Sequence, residues 1–478
     1  MVEPIWIAGN PEHGAGELIV THPYDGREVG RTTHATAEQV ERAVQAAADV
    51  AAQAAALPAA ARAAALDHVS KRLAERAEEV ARLITAENGK PLIWSRAEVG
   101  RAVSTFRWAA EEARRFSGEL QRLDTDRASA GRMAVVRRFP KGPVLGITPF
   151  NFPLNLVAHK VAPAIAVGAP IVVKPAPATP LTALLLGAIL AETELPAGMF
   201  SVLPIPNEAA PALVADPRLP VVSFTGSGPV GATIQRAVPG KHVTLELGGN
   251  AAAVLCEDWS SEADLDWAAQ RIAVFGNYQA GQSCIAVQRV VVPAALADAF
   301  VPKLVAAVEA LSVGDPTAEG VQVGPVITEA AAERIEQWVG EAVAAGASLL
   351  TGGKRDGLTV APTVLADVPH DAKVSCEEVF GPVLVVSTAA SDSDAFAQVN
   401  DSAYGLQAGV FTHDLQTAFR AHRDLQVGGV IVGDVPSFRA DQMPYGGLKG
   451  SGVGREGLRS AVEDYTDAKV MVLTGLDL

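Results

Sequence analysis

The sequence predicts an α/β protein built around doubly wound parallel sheets, and three observations carry that reading. From Gly142 onward short apolar strands alternate with helical stretches, as VLGITPF, LVAHKVAPAIAVG, PIVVKPA, TALLLGAILAETELPAG and FSVLPI follow one another. A second series of the same kind runs from Ala251 to about Val432, through AAAVLCED, QRVVVPAAL, AFVPKLVAAVEAL, SLLTGG, GPVLVVSTA and GVIVGD. Strand–helix alternation implies right-handed crossovers and a parallel sheet, which binds ligands at the carboxyl ends of its strands. The third observation is what interrupts the pattern: a polar stretch at 118–140 and a strand-like tail after Ser460.

Taken in order, residues 1–35 read as short strands and turns (IWIAGN, ELIVTHP, DGREVGRTTHA). Thr36 and Gln39 have the spacing of a capping box and predict the first helix start. Alanine dominates residues 42–65, and LDHVSKRLAERAEEVARLITAENG repeats its apolar positions at three and four. Gly89-Lys90-Pro91 is the expected stop. GELQRLDTDRASAGRMAVVRRFP predicts a β-hairpin, and the first strand–helix series continues through EAAPALVADP, VVSFTG, GATIQRAV and HVTLELGG. The tail AVEDYTDAKVMVLTG ends in a strand with no partner nearby in sequence, the kind that completes another sheet or another subunit. These divisions predict one domain from residues 1–117 and 141–248, a second from 249–433, and a bridging element from 118–140 and 434–478.

With 478 residues the chain can bury large cores, and 49% hydrophobic against 19% charged residues describes an ordered globular protein. A formal charge of −15 argues against nucleic acid or an anionic membrane as the main partner. The opening MVEPIWIAGNPEHG has no basic region before an apolar core, and no apolar run of about 18 residues occurs. A cytoplasmic enzyme without signal peptide or membrane span is therefore expected. Three cysteines, none close to another, argue against a disulfide or zinc framework, and the nine histidines lack metal-ligand spacing, so no metal is expected.

The chemistry is concentrated in two segments, Glu246-Leu247-Gly248-Gly249 and Gly281-Gln282-Ser283-Cys284. A thiolate is a strong nucleophile and a nearby carboxylate can serve as general base. A lone cysteine taken by itself reads first as a buried structural thiol; its company argues otherwise. That company is Val172-Val173-Lys174-Pro175, Phe224-Thr225-Gly226-Ser227 leading to Gly231, Pro149-Phe150-Asn151-Phe152-Pro153, Glu377-Glu378-Val379-Phe380-Gly381-Pro382 and Pro444-Tyr445-Gly446-Gly447. With these motifs in this order, the chain resembles the NAD(P)-dependent aldehyde dehydrogenase superfamily over essentially its whole length. The stretch CIAVQRVVV and the segment Arg439-Ala440-Asp441-Gln442-Met443-Pro444-Tyr445 look most like the lactaldehyde and related short-chain enzymes.

The resemblance implies a Rossmann-like cofactor domain, a catalytic α/β domain and a small β oligomerisation element, assembled as a homodimer or homotetramer. It implies NAD or NADP as cofactor and a small-molecule aldehyde as substrate. By the same resemblance Cys284 attacks the aldehyde, Asn151 and the Cys284 backbone N–H stabilise the oxyanion, and Glu246 activates the water that hydrolyses the thioester. The family's coenzyme-A-acylating members lack a glutamate at that point, so a free acid is the expected product. Ile147, Thr148, Pro149, Phe150, Lys174, Pro177, Gly226, Ser227, Gly231, Leu247, Glu378 and Phe380 are the residues it assigns to the cofactor. The turn at Gly226–Gly231 presents a helix start, with free N–H groups and a positive dipole end, to a pyrophosphate. Read alone, each residue has a plainer alternative: Asn151 a turn residue, Glu246 a carboxylate fixing the glycine turn, Lys174 a lysine snorkelling to solvent, Phe380 a core aromatic.

Two departures from the common pattern carry information. Many NAD-preferring relatives have a glutamate three residues after the strand-end lysine, where it binds both adenosine ribose hydroxyls and repels a 2′-phosphate. Here that position is Pro177, so NADP is expected to be accepted. His159 and Arg439 are expected near the substrate mouth, with Phe152 and Phe438 as an apolar wall. Arg439 could hold a carboxylate, phosphate or hydroxyl group, or could pair with Asp441 or Asp434 on a solvated loop. Lactaldehyde, glyceraldehyde, succinic semialdehyde and a generic aliphatic aldehyde are all compatible with these residues. Two rivals belong to other classes: a cofactor-independent thiol hydrolase using Cys284 and Glu246, and a catalytically silent scaffold. The first leaves Lys174, Glu378 and the Gly226–Gly231 turn without a task, and the second leaves Cys284, Glu246 and Asn151 without one.

Overall fold

The Thr36 hydroxyl accepts a hydrogen bond from the Gln39 N–H while the Gln39 side chain accepts from Thr36 N–H, and this box starts the helix Ala37–Ala56. The computed structural model describes residues 2–477. Three further helices follow, Ala59–Glu75, Ala77–Asn88 and Leu92–Arg115, the middle one closed by Gly89 in the left-handed region at φ 75° as the Gly-Lys-Pro stop predicts.

The first predicted strand series forms an eight-stranded sheet. Its inner strands lie in the order Phe200–Val202, Ile171–Lys174, Val144–Ile147, Val221–Thr225 and His242–Glu246, all parallel. Val144–Ile147 comes first in the chain and sits in the centre. The next strands are laid to one side before the chain crosses to the other, which is the Rossmann-like order with its switch point beside Val144–Ile147. The second series forms a seven-stranded sheet, parallel except for Ser348–Thr351, which runs antiparallel to Thr363–Ala366. Both doubly wound halves of the predicted α/β architecture are present.

The predicted hairpin is Gly118–Arg122 against Arg132–Pro140, and the terminal strand Thr466–Thr474 pairs antiparallel with Arg132–Pro140 to complete a three-stranded sheet. Residues 434–465 do not join it. Gly452–Val453 pairs with Leu245–Glu246 at the edge of the first sheet, and the helix Leu458–Asp464 packs on the helix Asn155–Val167. The backbone pairing of Gly452 with Glu246 thereby draws the chain after residue 434 back over the centre of the molecule.

Helix Asn155–Val167 is buried at every position, packed against the first sheet and the helix Leu92–Arg115. Neither it nor Leu181–Ala191 has a side-chain cap at its own start. Two buried glutamates from the preceding helices fill that role. Glu98 accepts from Leu154 and Asn155 N–H at 2.9 and 3.0 Å, and Glu87 accepts from Leu181 and Thr182 N–H at 2.8 and 3.0 Å. The exposed N–H groups and positive end of each helix offset the cost of burying the carboxylate. Lys90 pairs with Glu98 in the same fully buried spot.

Candidate active site

Cys284 stands at the end of a strained loop. After the helix Glu262–Asn277, Gln279 and Ala280 take φ of 52° and 53°, and Gly281 follows at 70°. Left-handed backbone costs roughly 1–2 kcal/mol for each of the two non-glycine residues, so the loop needs outside support. Asn151 supplies part of it, donating from Nδ2 to the Gln282 carbonyl at 3.0 Å, while Gln279 Nε2 donates to the Asn151 carbonyl. The cysteine loop is thereby fastened to the segment that leaves the central strand Val144–Ile147.

Glu246 ends the strand His242–Glu246 and is 3% exposed, yet neither carboxylate oxygen has a hydrogen-bond partner among the described residues. The chain beyond it passes through a narrow space. A Cβ on Gly248 would lie 2.3 Å from Glu378 Oε2, and one on Gly249 would lie 2.4 Å from the Cys284 carbonyl. Glycine at these positions lets the carboxylate segment and the thiol segment lie against each other.

Beside Glu246 lies a buried ionic group. Glu456 Oε1 accepts from Lys160 Nζ at 3.1 Å and its Oε2 from Arg439 Nη2 at 3.0 Å. Lys160 also donates to Thr225 Oγ1 at 2.8 Å and Ser223 Oγ at 3.1 Å. Burial alone would raise Glu456, but Lys160 and Arg439 outweigh it and hold Glu456 well below the usual carboxylate range. Glu246 goes the other way: burial, and then the charge on Glu456, push it well above its ordinary value. Of two carboxylates in one buried site, one is held toward its ionised form and the other is pushed toward its protonated form. Burial likewise pushes the Cys284 thiol up to about 12, against the pull of a hydrogen bond with the Tyr445 hydroxyl at 3.0 Å.

These groups share a cavity of about 240 Å³. Cys284, Glu246 and Leu247 line it with Phe152, Leu156, Phe275 and Tyr445, and its wall includes Arg101 and Arg439 beside Glu98 and Glu456. Arg439 lies 3.8 Å above the Tyr445 ring, and its Nε has no partner among the described residues. A larger cavity of about 680 Å³ lies against the second sheet, walled by Arg289, Val385 and Cys376, and contains none of these groups.

On the far side of Leu247 the strand ends of the first sheet converge. Thr148 N–H donates to the Lys174 carbonyl at 3.1 Å, Gly226 N–H to the Glu246 carbonyl at 3.0 Å. The ten-residue helix Gly228–Ala237 starts after exposed Ser227 with no side-chain cap, and a Cβ on Gly231 would lie 2.5 Å from Leu247. Lys174 is 3% exposed, bonded through Nζ to Asn207 at 2.9 Å and lowered by burial to about 8. Glu378 accepts from Gly249 N–H at 2.8 Å, and burial raises it to about 7. Phe380, at φ 49°, meets Phe150 edge-on at 5.9 Å. Uncapped helix N–H groups can take a pyrophosphate, and a partly desolvated ammonium and carboxylate can take ribose hydroxyls.

The profile of the aldehyde dehydrogenase family matches residues 10–471. The chain belongs to the aldehyde dehydrogenase family. Its fold superposes on the crystal structure of aldehyde dehydrogenase 21 from Physcomitrella patens, in complex with the reaction product succinate, with a TM-score of 0.97 and 45% identity over 99% of this chain and 98% of that one. It is 44% identical to the 3-sulfolactaldehyde dehydrogenase of Priestia aryabhattai over 84% of this chain and 83% of that protein. It is 36% identical to the NADP-dependent succinate-semialdehyde dehydrogenase of Escherichia coli over 96% and 95%. The activity is NAD(P)-dependent oxidation of an aldehyde, with NAD or NADP as cofactor.

Within this aldehyde dehydrogenase the expected residues divide into those the fold brings together and those it does not. Cys284, Glu246, Leu247, Phe152 and Arg439 line one cavity, and Asn151 sits behind Cys284, bonded to Gln282. Ile147 and Lys174 end two adjacent strands, and Thr148, Pro149, Phe150 and Pro177 follow them. His159 is not at the substrate mouth: it is 1% exposed, and its ring nitrogen faces Asp441 at 3.2 Å, because its face of the buried helix turns away from the cavity. Burial and the charge of Arg439 lower it to about 4, so it is neutral. Phe438 is 52% exposed and is absent from the cavity wall, which its neighbours Ser437 and Arg439 enter instead. Arg439 is not on a solvated loop and pairs with neither expected aspartate. Asp434 takes Arg271 at 2.8 Å, and Asp441 takes Arg101 at 3.1 Å. Cys256 is a buried strand-end residue of the second domain core.

Sequence reasoning missed Arg101, Lys160, Glu456 and the role of Tyr445. A signal existed for the first: Trp94, Ala97, Glu98 and Arg101 recur at three and four on one helix face, where two charges interrupt an apolar stripe.

Proposed function

We propose that this aldehyde dehydrogenase oxidises a small aldehyde carrying a second, anionic group to the free acid through a thioester on Cys284. The observation that carries the reading is the placement of two guanidinium groups, Arg439 and Arg101, in the wall of a cavity of about 240 Å³ that also holds the thiol. Aliphatic and aromatic walls exclude water from a short carbon chain, and a guanidinium fork suits a carboxylate or sulfonate at its far end. The named activities of the relatives, on succinate semialdehyde and 3-sulfolactaldehyde, are of that chemical kind.

In this reading the Cys284 sulfur forms a bond to the aldehyde carbon, and the carbonyl π pair moves to oxygen. The second N–H of Asn151 and the Cys284 backbone N–H receive that oxyanion. When bound, NAD or NADP supplies the acceptor for the hydride that leaves the thiohemiacetal. Lys174, Glu378, the helix start at Gly228 and the Phe150–Phe380 contact would hold the dinucleotide. Glu246, without a protein partner, is free to take a proton from the water that cleaves the thioester. Glu456, held ionised by Lys160 and Arg439, keeps Glu246 proton-seeking.

Two measurements test the specificity. Arg439→Ala is expected to raise KM for an anionic aldehyde at least about tenfold, the value of a charge-assisted hydrogen bond, with little change for a neutral aldehyde of equal length. An equal rise in KM for both substrates would sink the anionic reading, whereas kcat is expected to fall for both alike because Glu456 and Tyr445 lose their cation. Pro177→Glu is expected to cut kcat/KM with NADP roughly tenfold or more while sparing NAD, since a new carboxylate repels the 2′-phosphate. Strong turnover of the unaltered enzyme with NAD and negligible turnover with NADP would count against the role given to Pro177.

Self-association belongs to the same reading. Val470, Met471 and Val472 are 63%, 53% and 51% exposed on the terminal strand, whose outer edge has no partner among the described residues. An apolar open edge of this kind is satisfied by another copy, giving a homodimer or homotetramer.

A further inference from the structure

Cys284 Sγ makes one hydrogen bond among the described residues, to the Tyr445 hydroxyl at 3.0 Å. The tyrosine is 4% exposed, and its ring is held by Ile285 and Leu406. Its backbone is locked to Glu456 in both directions, Tyr445 N–H donating at 2.9 Å and Glu456 N–H at 2.6 Å. The Arg439 guanidinium covers the ring at 3.8 Å. A cation on the face of a phenol draws charge from its oxygen and strengthens the O–H as a donor.

We propose that Tyr445 is a further catalytic residue, whose hydroxyl donates to the Cys284 sulfur, favours the thiolate and aims it into the cavity. Burial keeps the phenol itself protonated far above neutral pH, so it can act only as a donor to an anionic sulfur. When Cys284 ionises, the S–H bond breaks and its proton leaves to water, while the Tyr445 O–H bond stays intact. Attack then forms the S–C bond, the carbonyl π pair moves to oxygen, and the hydrogen bond weakens as the sulfur loses its charge. The other groups facing the thiol divide in sign. Arg439 and Arg101 favour the thiolate, whereas Glu246, Glu378 and Glu456 oppose it when ionised, and the Tyr278 hydroxyl is occupied by Ser283 at 2.5 Å. Among the described residues Tyr445 alone hydrogen-bonds the sulfur.

The magnitude follows from two opposing effects. Losing a hydrogen bond to a charged group moves a thiol upward by about one pH unit, which lowers the thiolate fraction near neutrality about tenfold. The more basic thiolate is a better nucleophile by about threefold, leaving a net loss of about threefold. The inference rests on Cys284 as the nucleophile, a reading that turnover surviving Cys284→Ala would sink by itself. The test therefore reads the thiol directly: alkylation of Cys284 by iodoacetamide in the cofactor-free protein, followed by peptide mass spectrometry across neutral to alkaline pH. Tyr445→Phe is expected to slow alkylation about threefold near pH 7. Replacing Tyr445 by 3,5-difluorotyrosine, which keeps the shape and sharpens the donor, is expected to speed it. Rates unchanged in both, or moved in the same direction in both, would overturn the proposal. If the phenylalanine variant fails to fold, the fluorinated protein decides alone, and an unchanged or slower rate there refutes it.

Discussion

Cys284→Ala is expected to abolish formation of reduced cofactor with every aldehyde, by at least about 1,000-fold in kcat/KM, because no second thiol lines the cavity among the described residues. Cys256 is fully buried in another core, and Cys376 stands in the wall of the second cavity, so neither can substitute. The alanine leaves a methyl group where the thiol was, and the strained loop that carries it is held by Asn151 and Gln279 rather than by the sulfur. Folding and cofactor affinity should therefore survive, which a melting curve and a cofactor titration will show. Residual turnover within about tenfold of the unaltered enzyme would remove the thioester reading.

Glu246→Gln carries the second large effect. The first half of the reaction does not need the carboxylate, so a burst close to one reduced cofactor per Cys284 is expected, followed by turnover slower by about 100-fold or more. A thioester trapped on Cys284 and visible by mass is the direct readout. Undiminished steady-state turnover would show that another base serves. The same variant reports on pH. Burial and Glu456 raise Glu246 above its ordinary 4.5, so the folded protein holds a proton that the unfolded chain releases. Stability from this group is therefore present below pH 4.5 and lost as pH rises from there through the raised value. The hydrolytic step gains over the upper part of the same rise, as the carboxylate ionises. Glu246→Gln should lessen both slopes, leaving the share of the stability fall that Glu378 and Glu87 contribute; an unchanged melting profile would place the whole cost on those groups.

Much of this architecture is legible in local patterns. The Thr36–Gln39 box, the Gly89 stop, the two strand–helix series and the 118–140 hairpin each depend on residues a few positions apart, so sequence neighbours suffice to determine them. The glycines beside Glu246 and Cys284 are legible as a demand for close approach, though not what approaches. Helices Asn155–Val167 and Leu181–Ala191 show the limit. Their caps are Glu98 and Glu87, some 56 and 94 positions away, and helix starts preceded by Leu154 and Pro180, whose side chains cannot cap, give no local sign of them.

The sequence by itself determined that this chain folds as a family member with a thiol, a carboxylate and a dinucleotide site in fixed order, because those motifs are short and contiguous. Only the tertiary structure decided the partners of the charges. Arg439 could have met Asp434 or Asp441, and it meets Glu456 because Gly452–Val453 pairs with the strand that ends in Glu246 and brings the following residues over the site. That one pairing also sets Tyr445 against Cys284 and leaves His159 to Asp441. Ion pairs and hydrogen bonds act over a few ångströms, and chain separation says nothing about which groups will come that close until the sheets have closed around them.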